Sequence, residues 1–366
     1  MMELVDMPDL GSGGRPCRFE SCYPHHFRRK QRHSDECPPR QSEDIKEDES
    51  VLHLYFKSQS HNILAVLFLT GMVFISEITR QPAVLFPEIL ALLTGMWIAP
   101  RMPWRVGRWE IPVLMTLCAV WGILISRYCP GATYMKMGVA FAGAAGVLLV
   151  SRTTLLPILS ACILPILMGE QSWIYPIAVA VMTTLLAAGQ TLLCGKEKPS
   201  AHWEWNPMQE LIRWSILIPV VTVLSAYAIE ADTPCVVAPP LLVLASELSF
   251  PESPVAHKSI RIAAVTLLCA SIGALARWTV QIQLGLPLTL AAFLAALFAL
   301  TVFTLMKLPF PPAGALAILP MLLPEALIPT YPVQVTVGTV LFLSISWVIR
   351  TILHSRFFFQ NMQKTC

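Results

Sequence analysis

Glu77 and Glu88 lie within or beside apolar runs of a 366-residue chain that is 55% hydrophobic and 13% charged. A carboxylate at membrane depth is by default a candidate proton or ion carrier. Glu170 and Glu325 stand just past two short apolar segments, at corresponding places in the two halves of the chain, and are candidates for the same coupling role. Arg152 and Lys307 precede those segments, and prolines follow each: Pro157 in one case, Pro309-Phe310-Pro311-Pro312-Ala313-Gly314-Ala315 in the other. Proline pre-sets the first turn of a helix and forbids its continuation backwards. Gly314 and the alanines admit close approach of another backbone or of a solute. A fixed cation beside the N-terminal end of a half-helix is chemistry suited to a small anion. The same residues also have a plainer reading, in which Arg152 and Lys307 snorkel to an interface and Glu170 and Glu325 are solvated loop carboxylates.

Other chemistries lack their residues. All eight histidines lie in the polar tail or in loops, and the ten cysteines are scattered without a CxxC pair. Cys118, Cys162, Cys235 and Cys269 sit inside apolar runs, where cysteine acts as a small hydrophobe. No metal, haem or other cofactor is therefore expected. The net charge of +3 is too small to suggest nucleic acid. Deep serines and threonines have no paired base in the sequence, so an intramembrane lipid-modifying enzyme is disfavoured. There is no Walker motif.

The elements that must position these residues are apolar runs at 62–79, 82–99, 111–127, 132–150, 153–168, 174–194, 211–229, 234–249, 260–277, 284–305, 311–323 and 331–349. Most approach the roughly 17–25 residues that a spanning helix needs. Those at 153–168 and 311–323 carry prolines near their ends (Pro157 and Pro165; Pro311, Pro312 and Pro320) and are too short, which predicts half-helices. With all twelve crossing and a cytoplasmic N-terminus, Arg101, Arg105, Arg108, Arg152, Lys196, Lys198, Lys258, Arg261, Lys307, Arg350, Arg356 and Lys364 fall inside, as the positive-inside rule prefers. Arg80, Arg127 and Arg277 fall outside, and Arg127-Tyr128 and Arg277-Trp278 resemble interfacial anchors.

The second half repeats the first in order. Pro82 and Pro87 correspond to Pro234 and Pro239, Cys118-Ala119 and Gly122 to Cys269-Ala270 and Gly273, and Pro157, Leu164-Pro165 and Glu170 to Pro312, Leu319-Pro320 and Glu325. Tyr175-Pro176 then meets Tyr331-Pro332. Six crossings per unit make the two units parallel. The predicted fold is an all-α polytopic membrane protein of about twelve segments in two parallel six-segment repeats, 51–196 and 211–353. A cytoplasmic linker (197–210) joins them and a cytoplasmic tail (354–366) follows.

Residues 1–50 have the composition of a disordered tail. Within it, Cys17-Arg18-Phe19-Glu20-Ser21-Cys22-Tyr23-Pro24-His25-His26 back-translates into the 3′ end of a tRNA gene. Residues 1–30 accordingly read either as a translated tRNA gene, with the true start near Val51 or a nearby alternative codon and a bacterial source, or as an ordinary basic tail. The nucleotide sequence tests this, since any other codon choice over Arg18–Ser21 removes it.

The second half resembles the HPP family of membrane proteins through three ordered features. These are Ala238-Pro239, Phe250-Pro251-Glu252-Ser253-Pro254 with His257-Lys258, and Pro311-Pro312-Ala313-Gly314-Ala315. The likeness covers about residues 215 to 350. It implies a transporter, nitrite being attributed to some members, although Phe310 and Leu156 stand where the motif histidine would be. The expectation is a secondary transporter of a small anion, nitrite-like or a small carboxylate, in the bacterial inner membrane with both termini cytoplasmic. Its site would comprise Arg152, Pro157, Lys307, Pro311, Pro312, Ala313 and Gly314, and a passive channel is the alternative. Expected partners are the lipid bilayer, the solute and a second copy of the chain.

Overall fold

Each of the twelve apolar runs is helical in a computed structural model, which describes residues 41–99, 102–194, 206–250, 253 and 256–365. The proposed tRNA-gene stretch (1–30), Pro100, Arg101, Lys196, Lys198, residues 197–205 of the linker, and Pro251, Glu252 and Pro254 lie outside the described residues. Two units are distinguished, Met1–Val51 and Leu52–Cys366, and all twelve apolar runs belong to the second.

Among the described residues, eight helices are long and apolar enough to cross a membrane. They are α1 (Gln41–Thr79, apolar from Ser60), α3 (Glu110–Tyr128), α4 (Thr133–Ser151), α6 (Ile174–Cys194), α7 (Pro207–Glu230), α9 (Ser259–Ala276), α10 (Leu288–Met306) and α12 (Tyr331–Thr365, apolar to Leu353). α9 runs on through a wide turn over Arg277–Gln283. The remaining four are short: α2 (Glu88–Leu93), α5 (Pro157–Leu167), α8 (Pro239–Leu248) and α11 (Pro311–Ile318). The protein is thus an integral, multi-pass membrane protein by the length and composition of its helices.

The runs at 82–99 and 234–249 differ from expectation. The first has the length of an ordinary span and the second only that of the short run at 153–168, and both are expected to cross as plain helices. Instead, the first comprises a 3₁₀ turn Pro82–Val84, α2 and a wide turn Thr94–Ile98, and the second a 3₁₀ turn Pro234–Val237 before α8. Pro87 in one case and Pro239-Pro240 in the other have no amide hydrogen to continue a ladder, so the helix must restart. Each half therefore runs long, short, long, long, short, long.

Backbone geometry recurs at matching places. The four described non-glycine residues with positive φ are Arg80 (53°), Arg152 (53°), Asp232 (54°) and Lys307 (50°). Arg80 and Asp232 follow α1 and α7; Arg152 and Lys307 follow α4 and α10. Each ends its helix in the left-handed conformation that glycine usually supplies. The tightest packing recurs as well. A Cβ on Gly122 would collide with the Cys162 carbonyl oxygen, and one on Gly273 with the Ala317 carbonyl oxygen. Neither position tolerates a side chain, because α3 and α9 lie backbone-to-backbone against the short helices α5 and α11.

Side-chain contacts order the ends of the bundle. At one end His61 Nδ1 lies 3.1 Å from the Trp97 carbonyl oxygen, and Arg213 donates to the Ser246 carbonyl oxygen (2.9 Å) and Ser249 Oγ (3.2 Å). At the other end Glu77 accepts from the amides of Leu288 and Thr289, both 3.0 Å, and the Cys235 amide donates to Gln334 Oε1 (3.0 Å). Successive helices alternate between these ends, as a polytopic chain with short connections must.

Candidate functional site

The four short helices meet inside the long ones, with α2 against α11 and α5 against α8. Each contact joins the first half of the chain to the second. Polar side chains are scarce there, and two of them are acids. The central space is lined by Glu88 and Ala91 of α2, Pro157 and Ser160 of α5, Pro240, Val243 and Glu247 of α8, and Pro311, Pro312 and Ala315 of α11, with Trp104 from the loop before α3. Its volume is about 10 Å³, roughly the least that one water requires.

Glu88 is 1% exposed. Ser160, itself fully buried, donates its hydroxyl to Glu88 Oε1. Glu88 Oε2 is buried with no hydrogen-bond partner. An unpaired polar atom costs about 1–3 kcal/mol at such a place and calls for an explanation. Glu247 enters the same space from α8, one face of which carries Pro240, Val243 and Glu247.

The N-terminal turns of α5 and α11 face this space, but their amides are largely spoken for. Pro157, Pro311 and Pro312 carry none. The amides of Ile158 and Leu159 bond to the carbonyls of Leu155 (3.2 Å) and Leu156 (3.0 Å), and those of Ala313 and Gly314 to Phe310 (3.1 and 3.4 Å). What each N-terminus offers is therefore its dipole, equivalent to about half a positive charge, rather than a cradle of free donors. Two tyrosines hold these helices in place. Tyr175 donates to the Ala161 carbonyl oxygen (2.9 Å) and Tyr331 to that of Leu316 (2.7 Å), both rings being buried.

The residues singled out in the sequence separate into groups. Glu88, Pro157, Pro311 and Pro312 converge on the centre, and Ala313 and Gly314 are buried beside it, Gly314 packing against Leu90 of α2. Arg152 and Lys307 are exposed at the left-handed ends of α4 and α10 and do not line the space. Glu77 is exposed and caps α10: besides the two amides, Thr289 Oγ1 donates to it at 2.6 Å. Glu170 is half-buried, its Oε1 accepting from the amides of Gln171 (3.0 Å) and Ser172 (2.7 Å). It faces a separate pocket between the start of the Pro82 turn and the end of α5. Glu325 is exposed and lies within electrostatic reach of Arg277.

Arg277 is no interfacial anchor. It is 7% exposed, and its guanidinium donates to the carbonyl oxygens of Pro320 and Leu323, where α11 ends, and to Gln281 Oε1 (2.9 Å). Arg127, by contrast, sits on the exposed ring of Tyr128, 5.5 Å from its centroid. Three central or supporting groups escape a linear reading: Ser160, Glu247 and Arg277. For Glu247 a signal existed in the spacing of Pro240, Val243 and Glu247 along one helical face.

Compared with protein-family models, with curated proteins and with solved structures, the chain matches none.

Proposed function

We propose that this membrane protein is a secondary transporter of a small monovalent anion, nitrite-like or a short carboxylate, coupled to protons at the junction of α2, α5, α8 and α11. The observation that carries the proposal is Glu88, a fully buried carboxyl with one oxygen unpaired where the two halves of the chain meet. Two helix dipoles point their positive ends at that junction, and two carboxyls face them. With the carboxyls ionised, the dipoles are balanced from within the protein. A proton on Glu88 removes that balance, and an arriving anion restores it. Anion and proton thus enter the site together, and neither is stable there alone.

The matching left-handed caps, glycine contacts and tyrosine bonds support a duplicated six-segment unit. Rocking one unit on the other would separate α2 from α11 and α5 from α8, opening the centre alternately to the two faces. A central space too small for nitrite favours this over a standing pore. The excess of basic residues at the ends holding Arg152 and Lys307 supports a cytoplasmic placement of that face. On that face the two exposed cations would raise the local anion concentration by their field. The HPP likeness points to the same class. At the place of its histidine, Phe310 is 1% exposed, so proton handling falls to Glu88 and Glu247 instead.

The test is uptake by purified protein in proteoliposomes, with nitrite, nitrate, formate and short carboxylates, with and without a pH gradient. Saturable uptake that rises with the gradient is expected. Flux that does not saturate and ignores the gradient would identify a passive pore and refute the proposal.

A further inference from the structure

A second pocket, of about 180 Å³, is lined by the Pro82–Leu85 segment, Leu164 and Pro165 of α5, Glu170 and Tyr175 of the first half, with Leu322 of the second half at its edge. Its volume is far above the roughly 10–15 Å³ that one water requires. Glu170 gives it a fixed carboxylate, which attracts protons and cations and repels the anion. Its far wall is Tyr175, 2% exposed and packed edge-on against Phe86 at 6.2 Å. The Tyr175 hydroxyl bonds to the Ala161 carbonyl oxygen, one residue from the Ser160 that holds Glu88. Tyr175 thus lines this pocket and lies within electrostatic reach of Glu88.

The second half treats the same place differently. Pro165 and Met168 line the pocket, and their counterparts are Pro320 and Leu323. The carbonyls of those two counterparts are taken by the buried guanidinium of Arg277. The first-half counterpart of Arg277, by the register of Gly122 with Gly273, is Ser126, a far smaller side chain. Hence the first half is open at the end of its short helix where the second half is filled.

We propose that the pocket at Glu170 is a water-filled proton vestibule serving Glu88 from the face opposite Arg152 and Lys307, with Tyr175 as its gate, and that the second half has lost the equivalent route to Arg277. This rests on the proton-coupled function proposed above. It makes the two halves unequal partners, the first conducting the proton and the second packing against it.

Leu164 and Leu319 are matched positions, each 1% exposed, so burial alone predicts equal access. Leu164→Cys and Leu319→Cys in the full-length protein, in sealed proteoliposomes, are treated with a membrane-impermeant cationic methanethiosulfonate, and labelling above that of the parent protein is read by mass spectrometry. Thiol reactivity follows access, so Leu164→Cys should react about tenfold faster. In parallel, proton entry driven by nitrite or formate is followed with an internal pH dye. Glu170→Gln should slow it about tenfold and Glu325→Gln less than about twofold, as for a relay carboxylate against a loop one. Equal labelling, or equal effects of the two glutamine variants, with coupled transport intact overturns the vestibule alone. A parent protein that moves no protons with any probe anion overturns the proposed function and the vestibule's proton role together.

Discussion

Replacing Glu88 by glutamine separates coupling from folding. Glutamine keeps the volume of the side chain and an oxygen to accept the Ser160 hydroxyl, but it cannot release a proton. It also places amide hydrogens where Oε2 has no partner, which costs about 1–2 kcal/mol for a buried polar group. Glu88→Ala removes the acceptor from a fully buried serine and leaves a void, a loss of about 3 kcal/mol or more. Both variants should therefore reach the membrane, with Glu88→Gln the more stable in a melting assay. A pH step of one unit stores about 1.4 kcal/mol per proton, which sustains about tenfold accumulation of an anion that moves with one proton. In proteoliposomes with the interior one unit more alkaline, the parent protein should approach that ratio and Glu88→Gln should stay near unity. A Glu88→Gln protein that still accumulates solute about tenfold refutes the assignment of the proton to this carboxyl.

Three other perturbations address the supporting structure. Gly122→Ala and Gly273→Ala each drive a methyl into a carbonyl oxygen of the facing short helix and should cost about 1–3 kcal/mol in thermal unfolding, with similar losses at the two sites. Arg277→Gln leaves the carbonyls at the end of α11 without their guanidinium and should lose about 2–4 kcal/mol. Hydrogen exchange should localise that loss to residues 319–323, and an unchanged melting profile would refute the capping role. Lys307→Gly removes a left-handed L-residue whose conformation costs about 1–2 kcal/mol, so stability should hold or rise. Uptake at physiological salt should fall no more than about threefold, because an exposed charge steers an anion through a screened field. Loss of all uptake in this variant would instead make Lys307 a direct ligand of the anion.

Much of the architecture is legible in the order of the prolines. Pro157 and Pro311-Pro312 mark the starts of two short helices, and both halves follow the same order of long and short helices. Run length misleads at 82–99, because it counts residues whereas Pro87 decides whether they form one rising helix; at 234–249 the run is as short as 153–168, and Pro239-Pro240 carries the signal for a half-helix. Arg152 and Lys307 read as ligands because both are cations before a half-helix. Their left-handed backbone is invisible in composition, since glycine is the residue that normally announces it. Arg277 reads as an anchor because the apolar run stops at it, but the helix continues through a wide turn and buries it. Glu247 is masked by Ser249, Phe250 and Pro251, which make its neighbourhood look like a loop.

The short helices also constrain how the protein is made. At about 1.5 Å per residue the eleven residues of α5 rise about 16 Å, roughly half of a hydrocarbon core, so α5 cannot partition into lipid as an independent span. α3 and α4 of its own half shelter much of it, but α8 on α5 and α11 on α2 come from the half translated later. During synthesis the first six segments therefore wait for the second set to complete the cover of α2 and α5, with Glu88 held only by Ser160. Assembly of the centre is a late, all-at-once event, and a chain truncated after α6 should be held by the insertion machinery or degraded rather than accumulate as a stable half.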